Sequence, residues 1–209
     1  MDEAPMLYIG EQIGKTTEDS IEVDIAVDPL DGTNAVADGD SNGISVVAVA
    51  PRGCLLHAPD LYMDKIAVGP KAKGKVRLDM PIKEIIKNLS LALNKNVSEI
   101  TVTMLDRPRH DEMIEEIREV GARIKLFKDG DVAAAIATCF DNSGVDILIG
   151  TGGAPEGVLA AAALKCLGGD FQGRLHPTNE AEIKRCIEMG RDVDIIMDIE
   201  DLVKGNEVV

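Results

Sequence analysis

Residues 23–33 read VDIAVDPLDGT, and the rest of the chain is organised around this stretch. Its first six residues place a β-branched apolar side chain at every second position, which is the two-residue period of a strand. Proline at position 29 stops the alternation, and an Asp-Gly-Thr turn follows. The stretch therefore predicts a strand that ends at Asp28, with a second carboxylate, Asp31, and a hydroxyl, Thr33, at the mouth of a sheet.

Paired carboxylates at this spacing suit a divalent cation such as Mg²⁺, which prefers oxygen ligands and keeps several waters. The carbonyl of Leu30 would be a further ligand. Gly32 would allow close approach of a phosphate, and Thr33 would orient a metal-bound water. An Asx-type turn is the competing interpretation, because Asp-Pro and Asp-Gly pairs favour turns without any ligand. An isolated Asp-Pro would favour the turn, whereas the full string DPLDGT favours the cation site.

The composition argues against several classes of protein. Only 2% of the 209 residues are aromatic and the formal net charge is −15, which disfavours nucleic-acid binding. The four cysteines form no C-x-x-C pair, which disfavours a zinc site and fits reduced thiols. No uncharged apolar run approaches the ~18 residues of a membrane span, and the first residues lack a signal-peptide pattern. We therefore expect a cytoplasmic protein with no nucleic-acid or membrane partner.

The periodicity of the apolar residues changes along the chain. Strand patterns dominate up to residue 68, among them the nearly apolar run at 44–50. A connector rich in Gly, Lys and Pro covers residues 69–80, and beyond it helical stripes alternate with short apolar strands. The sequence thus predicts an α/β (α+β) protein with two regions, 1–78 with the carboxylates and 79–209 with the substrate-binding loops.

Shorter segments are assigned by the same rules. Apolar residues cluster at 54–56 and 193–197, and both segments are predicted as strands. Residues 168–173 contain three glycines and are predicted as a loop. The best-defined helices are predicted at 82–93, from an apolar stripe, and at 156–167, after a Gly-rich turn.

Charged residues next to predicted strands and helices supply further candidates. Arg107 and Arg109 flank a proline, and two cations at this spacing can hold one phosphate; a solvated loop is the alternative. Asp129 and Asp131 precede a helix, where an N-cap role would explain them as well. Glu156 stands in a first helical turn, which the helix dipole favours for an acid without any ligand. The residues alone leave these alternatives open.

Residues 28–33 resemble the metal-binding signature of the lithium-sensitive sugar-phosphatase superfamily. Four further stretches resemble the bacterial class II fructose-1,6-bisphosphatases, in order along the chain: DEAPMLYIGE at 2–11, RPRH at 107–110, DGDVA at 129–133 and GGAPEG at 152–157. The resemblance covers most of the chain. It implies a sugar-phosphatase fold with alternating helix and sheet layers. It also implies Mg²⁺- or Mn²⁺-dependent hydrolysis of the 1-phosphate of fructose 1,6-bisphosphate, a step of gluconeogenesis.

The resemblance further implies roles for single residues. Asp28, Asp31 and Glu156 would hold the metal ion, and the carbonyl of Leu30 would be a further ligand. Asp28, Asp31 and Thr33 would carry the catalytic step. Tyr62, Arg107 and Arg109 would hold the 6-phosphate. Asp129 and Asp131 would contact the sugar. The residues expected to bind the substrate are Asp31, Gly32, Thr33, Tyr62, Arg107, Arg109, Asp129 and Asp131.

The sequence also departs from the family pattern. Family members carry further metal-ligand acids on a helical segment before the stretch that begins here at Asp2, and they continue beyond the point where this chain stops. The chain thus resembles a member truncated at both ends, and its fold is expected to be incomplete there. An exposed sheet or helix face would follow, which a homo-oligomer would cover. Arg107 replaces the common lysine, and Asn34 replaces the basic residue usual after the threonine.

Two alternatives to fructose-1,6-bisphosphatase activity stay open at this point. Sedoheptulose-1,7-bisphosphatase, or another sugar or polyol phosphatase, would use similar phosphate contacts. A chain without the upstream acids could instead be a truncated, inactive paralogue that binds sugar phosphate or a full-length partner subunit.

Overall fold

The structure, a computed structural model, describes residues 10–14, 17, 19–39, 41 and 43–209, so the motif residues at 2–9 lie outside it. Its strands are β1 (Val23–Asp31), β2 (Ile44–Pro51), β3 (Tyr62–Val68), β4 (Thr101–Leu105), β5 (Arg123–Phe127), β6 (Ile147–Gly153), β7 (Asp170–His176) and β8 (Met197–Asp198). Its α-helices are α1 (Thr33–Asp38), α2 (Ile82–Leu93), α3 (Asp111–Val120), α4 (Asp131–Ala137), α5 (Ala154–Leu167), α6 (Glu180–Glu188) and α7 (Ile199–Leu202).

A mixed sheet of six strands, in the order β5-β4-β6-β3-β7-β8, forms the centre of the fold. Strand β4 runs parallel to β5 and β6, whereas β3 is antiparallel to both of its neighbours. Successive side chains of β3 enter different cores, as the strand period requires. Ile66 packs in the core with α2 and α3, whereas Met63 and Ala67 pack in the core with α4 and α5. Each face of the sheet is therefore covered by a pair of helices.

A second sheet, the antiparallel ribbon of β1 and β2, lies on the far side of α4 and α5. Ala26 and Ala48 on its inner face join the same core as α5. Helix α5 is apolar around its whole circumference because it lies between two sheets. The layers run helix, sheet, helix, sheet. The predicted α/β fold with alternating helix and sheet layers is thus confirmed.

The outer face of the ribbon is apolar and exposed. Val23, Ile25 and Val27 on β1 keep 44%, 50% and 44% of their surface in water, and Val47, opposite Val27, keeps 59%. These are the alternate residues that identified β1 as a strand. The homo-oligomer expected to cover such a face stays a proposal.

Of the segment 168–173, predicted as a loop, residues 170–173 instead belong to β7, and only Gly168 and Gly169 connect α5 to it. Phe171 and Leu175 point into the core from alternate positions of this strand. The glycine between them is a packing requirement, because a Cβ at Gly173 would lie 2.4 Å from the sulfur of Met63 on β3. The prediction was wrong because this glycine is needed to make room for a side chain on another strand, and no local sequence pattern reveals such a contact.

The two short predicted strands are also corrected. Residues 54–56 form one isolated bridge, between Leu55 and Val203, rather than a strand. The segment at 193–197 contributes only its last residue to β8, because the side chain of Asp192 accepts a hydrogen bond from the amide of Asp194 and forms a turn there. The glycines at 152 and 153, predicted to form a turn, extend β6 instead.

The division of the chain at residue 78 stays a proposal. Strand β3 precedes that position, yet it pairs with β6 and β7, which follow it. In the described part of the chain, no helix is both long and apolar enough to cross a bilayer.

Helix α2 offers a direct stability test of the layer arrangement, because it carries one fully buried and one exposed leucine. Leu89 is 0% exposed and Leu91 is 72% exposed. We expect Leu89→Ala to lower the free energy of unfolding by about 2–5 kcal/mol, because it opens a cavity under the sheet. The matched control Leu91→Ala should change it by less than about 0.5 kcal/mol. Urea unfolding followed by circular dichroism measures both, and equal losses would contradict this packing.

Candidate active site

The acidic turn at the end of β1 is built on a β-bulge. Asp28 lies opposite Val46 and Asp31 opposite Ile44, so β1 advances three residues while β2 advances two. Without the extra residue, side chains three positions apart would point to opposite faces; the bulge turns both carboxylates to the same face. The strand thus continues to Asp31, and the prediction that it ends at Asp28 was wrong.

Local hydrogen bonds hold the bulge in shape. The Asp28 carboxylate accepts a hydrogen bond from the amide of Leu30 at 3.0 Å, which is the Asx-type turn of the competing interpretation. The hydroxyl of Ser45 donates to the carbonyl of Pro29 at 2.7 Å. Gly32 follows with φ 88° and ψ 42°, a left-handed conformation that reverses the chain into α1, where Thr33 is the first residue. The turn and the carboxylate pair therefore coexist.

The carboxylate of Asp31 is buried against the start of α4. Its Oδ2 accepts hydrogen bonds from the amides of Val132 at 3.1 Å and Ala133 at 3.4 Å. Burial raises the pKa of Asp31 to about 6; the two amides oppose this rise, and the charges of Asp131 and Asp28 add to it. The charged form of Asp31 is thus disfavoured relative to that of an exposed carboxylate, so Asp31 holds its proton to a higher pH.

The segment at 129–131 ties three elements together. Asp129 Oδ2 accepts from the backbone amide and the side-chain amide of Asn34, at 2.9 and 3.2 Å. Asp131 is the first residue of α4, and its Oδ2 lies 2.6 Å from Nζ of Lys65 on β3. Only 2% of the Lys65 side chain and 11% of the Asp131 side chain are exposed, so this is a buried ion pair. Gly152 makes room for it, since a Cβ there would lie 1.9 Å from Asp131 Oδ2.

The cationic part of the site comes from the loop after β4. The Arg109 guanidinium stacks on the Tyr62 ring, 4.8 Å from its centroid, and donates to the carbonyl of Thr151 through Nε at 3.0 Å and Nη2 at 2.6 Å. Arg107 donates to the carbonyls of Asp106 and Lys128, at 2.8 and 2.7 Å. The structure thus joins the predicted pair Arg109 and Tyr62, while Arg107 reaches towards the 129–131 segment.

Glu156 lies in the first turn of α5, where its Oε2 is buried and has no hydrogen-bond partner among the described residues. Gly153 gives this oxygen space, since a Cβ there would lie 1.9 Å from it. A buried carboxylate oxygen without a donor calls for an explanation, and a cation is one that suits its chemistry.

The three predicted metal ligands are not gathered into one compact cluster. In the described part of the chain, no three His, Cys, Asp or Glu side chains lie close enough together to hold a metal ion. Asp28 and Asp31 share one face, and the charge of Asp28 adds to the rise in the pKa of Asp31. Glu156 Oε2 has no hydrogen-bond partner among the described residues. This donor set fits a divalent cation that keeps several of its waters. The assignment of Asp28, Leu30, Asp31 and Glu156 as ligands stays a prediction.

Two buried residues of the site were not identified from the sequence. Lys65 stands between Met63 and Ala67 on the inward face of β3, and a single lysine at such a position signals a buried acidic partner. His110 is 1% exposed, and the sequence placed it only at the start of a helix, beside two arginines. Nothing local marked it as buried.

Comparison with known proteins finds similarity along the whole chain. A family model described as "Bacterial fructose-1,6-bisphosphatase, glpX-encoded" matches residues 1–209. The chain is 45% identical to "Fructose-1,6-bisphosphatase 1 class 2" of Escherichia coli (strain K12) over 222 residues, which cover 100% of the chain and 66% of the relative.

Other relatives are similar at comparable levels. Identity is 45% over 231 residues to "D-fructose 1,6-bisphosphatase class 2/sedoheptulose 1,7-bisphosphatase" of Synechococcus sp. (strain JA-3-3Ab), of which 67% is covered. It is 43% over 222 residues to "Fructose-1,6-bisphosphatase class 2" of Haemophilus influenzae (strain ATCC 51907 / DSM 11121 / KW20 / Rd), of which 66% is covered. Each alignment includes 100% of this chain. The chain therefore spans about two thirds of the length of these relatives.

The raised pKa of Asp31 predicts how stability depends on pH. The folded protein binds the Asp31 proton more tightly than the unfolded chain, whose ordinary pKa is 3.8. This contribution to stability is fully present below pH 3.8 and is lost as the pH rises through about 6. Asp31→Asn has no proton to release. Between pH 4 and pH 6 we therefore expect the free energy of unfolding of the parent protein to fall relative to that of the variant.

Urea unfolding at a series of pH values, in EDTA to remove divalent cations, measures this difference. Because carboxylates far from Asp31 contribute alike in both proteins, subtracting the two curves leaves the contribution of Asp31 and its charged neighbours. Parallel curves would show that burial does not raise its pKa.

Proposed function

Because the chain belongs to the bacterial class II fructose-1,6-bisphosphatase family, we propose that it hydrolyses the 1-phosphate of fructose 1,6-bisphosphate, giving fructose 6-phosphate and phosphate. The observation that carries this proposal is the bulge that turns Asp28 and Asp31 to one face, in a chain that the family matches from end to end. As parts of the same proposal, the enzyme is a cytoplasmic homo-oligomer that acts in gluconeogenesis.

The proposed cofactor is Mg²⁺ or Mn²⁺. Asp28, Asp31 and Glu156 would hold it, with the Leu30 carbonyl as a further ligand. When bound, such a cation polarises a phosphate oxygen and lowers the pKa of a coordinated water. Two observations support this role: the charge of Asp28 adds to the raised pKa of Asp31, and Glu156 Oε2 has no hydrogen-bond partner among the described residues. A cation would offset the first and supply a partner for the second.

The residues around the acids have separate tasks in this proposal. Gly32, without a side chain, lets the 1-phosphate approach the turn, and Thr33, exposed at the start of α1, orients the attacking water by accepting or donating a proton in a hydrogen bond. Asp129 and Asp131 use Oδ2 for their contacts with Asn34 and Lys65. Their Oδ1 atoms would accept hydrogen bonds from the sugar hydroxyls.

The 6-phosphate would bind at the cationic loop. Arg109 is exposed and stacked on Tyr62, so its remaining N–H groups are available to a phosphate oxygen. Arg107 would contribute from the other side of Pro108. We propose fructose 1,6-bisphosphate rather than sedoheptulose 1,7-bisphosphate because the Escherichia coli and Haemophilus influenzae relatives are named for fructose 1,6-bisphosphate alone.

Removing single carboxylates tests the proposed reaction. We expect Asp28→Asn and Glu156→Gln each to lower the Mn²⁺-dependent release of phosphate from fructose 1,6-bisphosphate by more than about 100-fold, since even outer partners of a metal site are worth 10- to 100-fold. Asp24→Asn is the matched control, because Asp24 lies on the same strand and its oxygen accepts from the amide of Gly53, which an asparagine oxygen also does. A wild-type rate in Asp28→Asn, or no turnover by the parent chain, would refute the proposal.

The anchor for the second phosphate is tested by comparing two substrates. Arg109→Ala should raise the KM for fructose 1,6-bisphosphate by about 10- to 100-fold, the worth of a lost charge-assisted hydrogen bond. It should leave kcat/KM for p-nitrophenyl phosphate within about twofold, because that substrate has no second phosphate. Arg118→Ala on the exposed face of α3 is the control. Equal losses on both substrates would rule out a specific anchor.

A further inference from the structure

His110 is buried and uses both of its ring nitrogens. Nδ1 lies 2.7 Å from the carbonyl of Leu105, which can only accept, so Nδ1 carries the proton. Nε2 is then unprotonated, and its lone pair accepts a hydrogen bond from the amide of Thr151 at 2.8 Å. The imidazole is therefore neutral and held in one tautomer by its two partners. With 1% of its surface exposed, it cannot itself touch a substrate phosphate.

The backbone of β6 is shaped to receive this ring. Gly150 has φ 148°, a conformation that side chains disfavour, and a Cβ there would lie 3.0 Å from His110 Nε2. The ring thus occupies the space that a side chain at position 150 would fill. It joins the end of β4 to β6, because Leu105 is the last residue of β4 and Thr151 belongs to β6.

Thr151 is held from three directions. Its amide donates to His110, its hydroxyl donates to Asp64 Oδ1 at 2.7 Å, and its carbonyl accepts the Nε and Nη2 hydrogen bonds of Arg109. Two bonds from one guanidinium to one carbonyl fix the direction of the arginine side chain. The N–H and the carbonyl of Thr151 belong to consecutive peptide groups joined at its Cα, so the backbone conformation of this one residue determines where the Arg109 guanidinium lies over the Tyr62 ring.

We propose that His110 is a positioning residue for the phosphate anchor: through the backbone of Thr151, it fixes the Arg109 guanidinium over Tyr62. This inference rests on the proposed function in one respect, namely that Arg109 binds the phosphate distant from the reaction. His110 acts through Thr151 and contacts no substrate. Its loss therefore weakens phosphate binding only as far as Arg109 contributes to it.

Two substitutions separate the two nitrogens of the ring. His110→Gln places an amide oxygen near the position of Nε2 and keeps an acceptor for the Thr151 amide. His110→Asn reaches only the position of Nδ1 and leaves that amide without its acceptor. The probe is fructose 6-phosphate, which carries the distant phosphate and needs no turnover, and its Kd is measured by isothermal titration on the full chain.

We expect His110→Asn to raise the Kd for fructose 6-phosphate by about three- to tenfold, the worth of one hydrogen bond, and His110→Gln to stay within about twofold of the parent. In an Arg109→Ala background, His110→Asn should cause no further loss. A general loosening of the fold would instead weaken binding equally with and without Arg109. Equal effects of the two substitutions, additive losses, or no binding by the parent chain would overturn the inference.

If His110→Asn does not fold, as judged by urea unfolding, His110→Leu replaces it, because leucine fills the buried site and offers the Thr151 amide no acceptor. We then expect the Kd for fructose 6-phosphate to rise about three- to tenfold in His110→Leu and to stay within about twofold of the parent in His110→Gln. Equal Kd values for the two variants would overturn the inference. Turnover of fructose 1,6-bisphosphate is measured separately: binding of fructose 6-phosphate without turnover refutes the proposed function and leaves the role of His110 standing.

Discussion

The buried carboxylate of Asp31 is the constraint that joins the two sheets. A carboxylate that is 5% exposed must be hydrogen-bonded, and the first amides of α4 meet this need. Helix α4 in turn begins with Asp131, which is paired with Lys65 in the central sheet. The ribbon of β1 and β2 is thereby set in a defined position relative to β3 by polar contacts, while α5 supplies the apolar packing between them.

The parts of the fold that the sequence predicts are those with a local period. Helix α2 was placed at 82–93 because its apolar stripe is complete within the helix, and the structure has it from Ile82 to Leu93. Strand β7 was missed because Gly173 is there for the sake of Met63, a residue on the neighbouring strand. The bulge in β1 was missed for a similar reason, since it is defined only by pairing with β2. Contacts between distant residues of this kind produce no periodic pattern in the sequence.

The residues of the candidate site likewise fall into those that the sequence could identify and those that it could not. Its charged residues stand in short motifs, so Asp28, Asp31 and Arg109 could be named from the sequence. The residues that hold them in place are distant in the chain: Lys65 and Asp131 are 66 residues apart, and His110 and Thr151 are 41 apart. Lys65 carried a recognisable signal, a lone cation on an inward strand position. The two hydrogen bonds of His110 depend on where β4 and β6 meet, which becomes known only with the sheet order.

The distance between Asp31 and its partners on α4 also has a consequence for the order of synthesis. The amide of Val132 follows Asp31 by 101 residues, so at the usual pace of translation it is made about 5–20 s later. During that interval the carboxylates of β1 remain hydrated, and the inner face of the ribbon has no helix to cover it. The pocket that burial creates around Asp31 is therefore a late product of folding on the ribosome, although its acids emerge well before the helix that covers them.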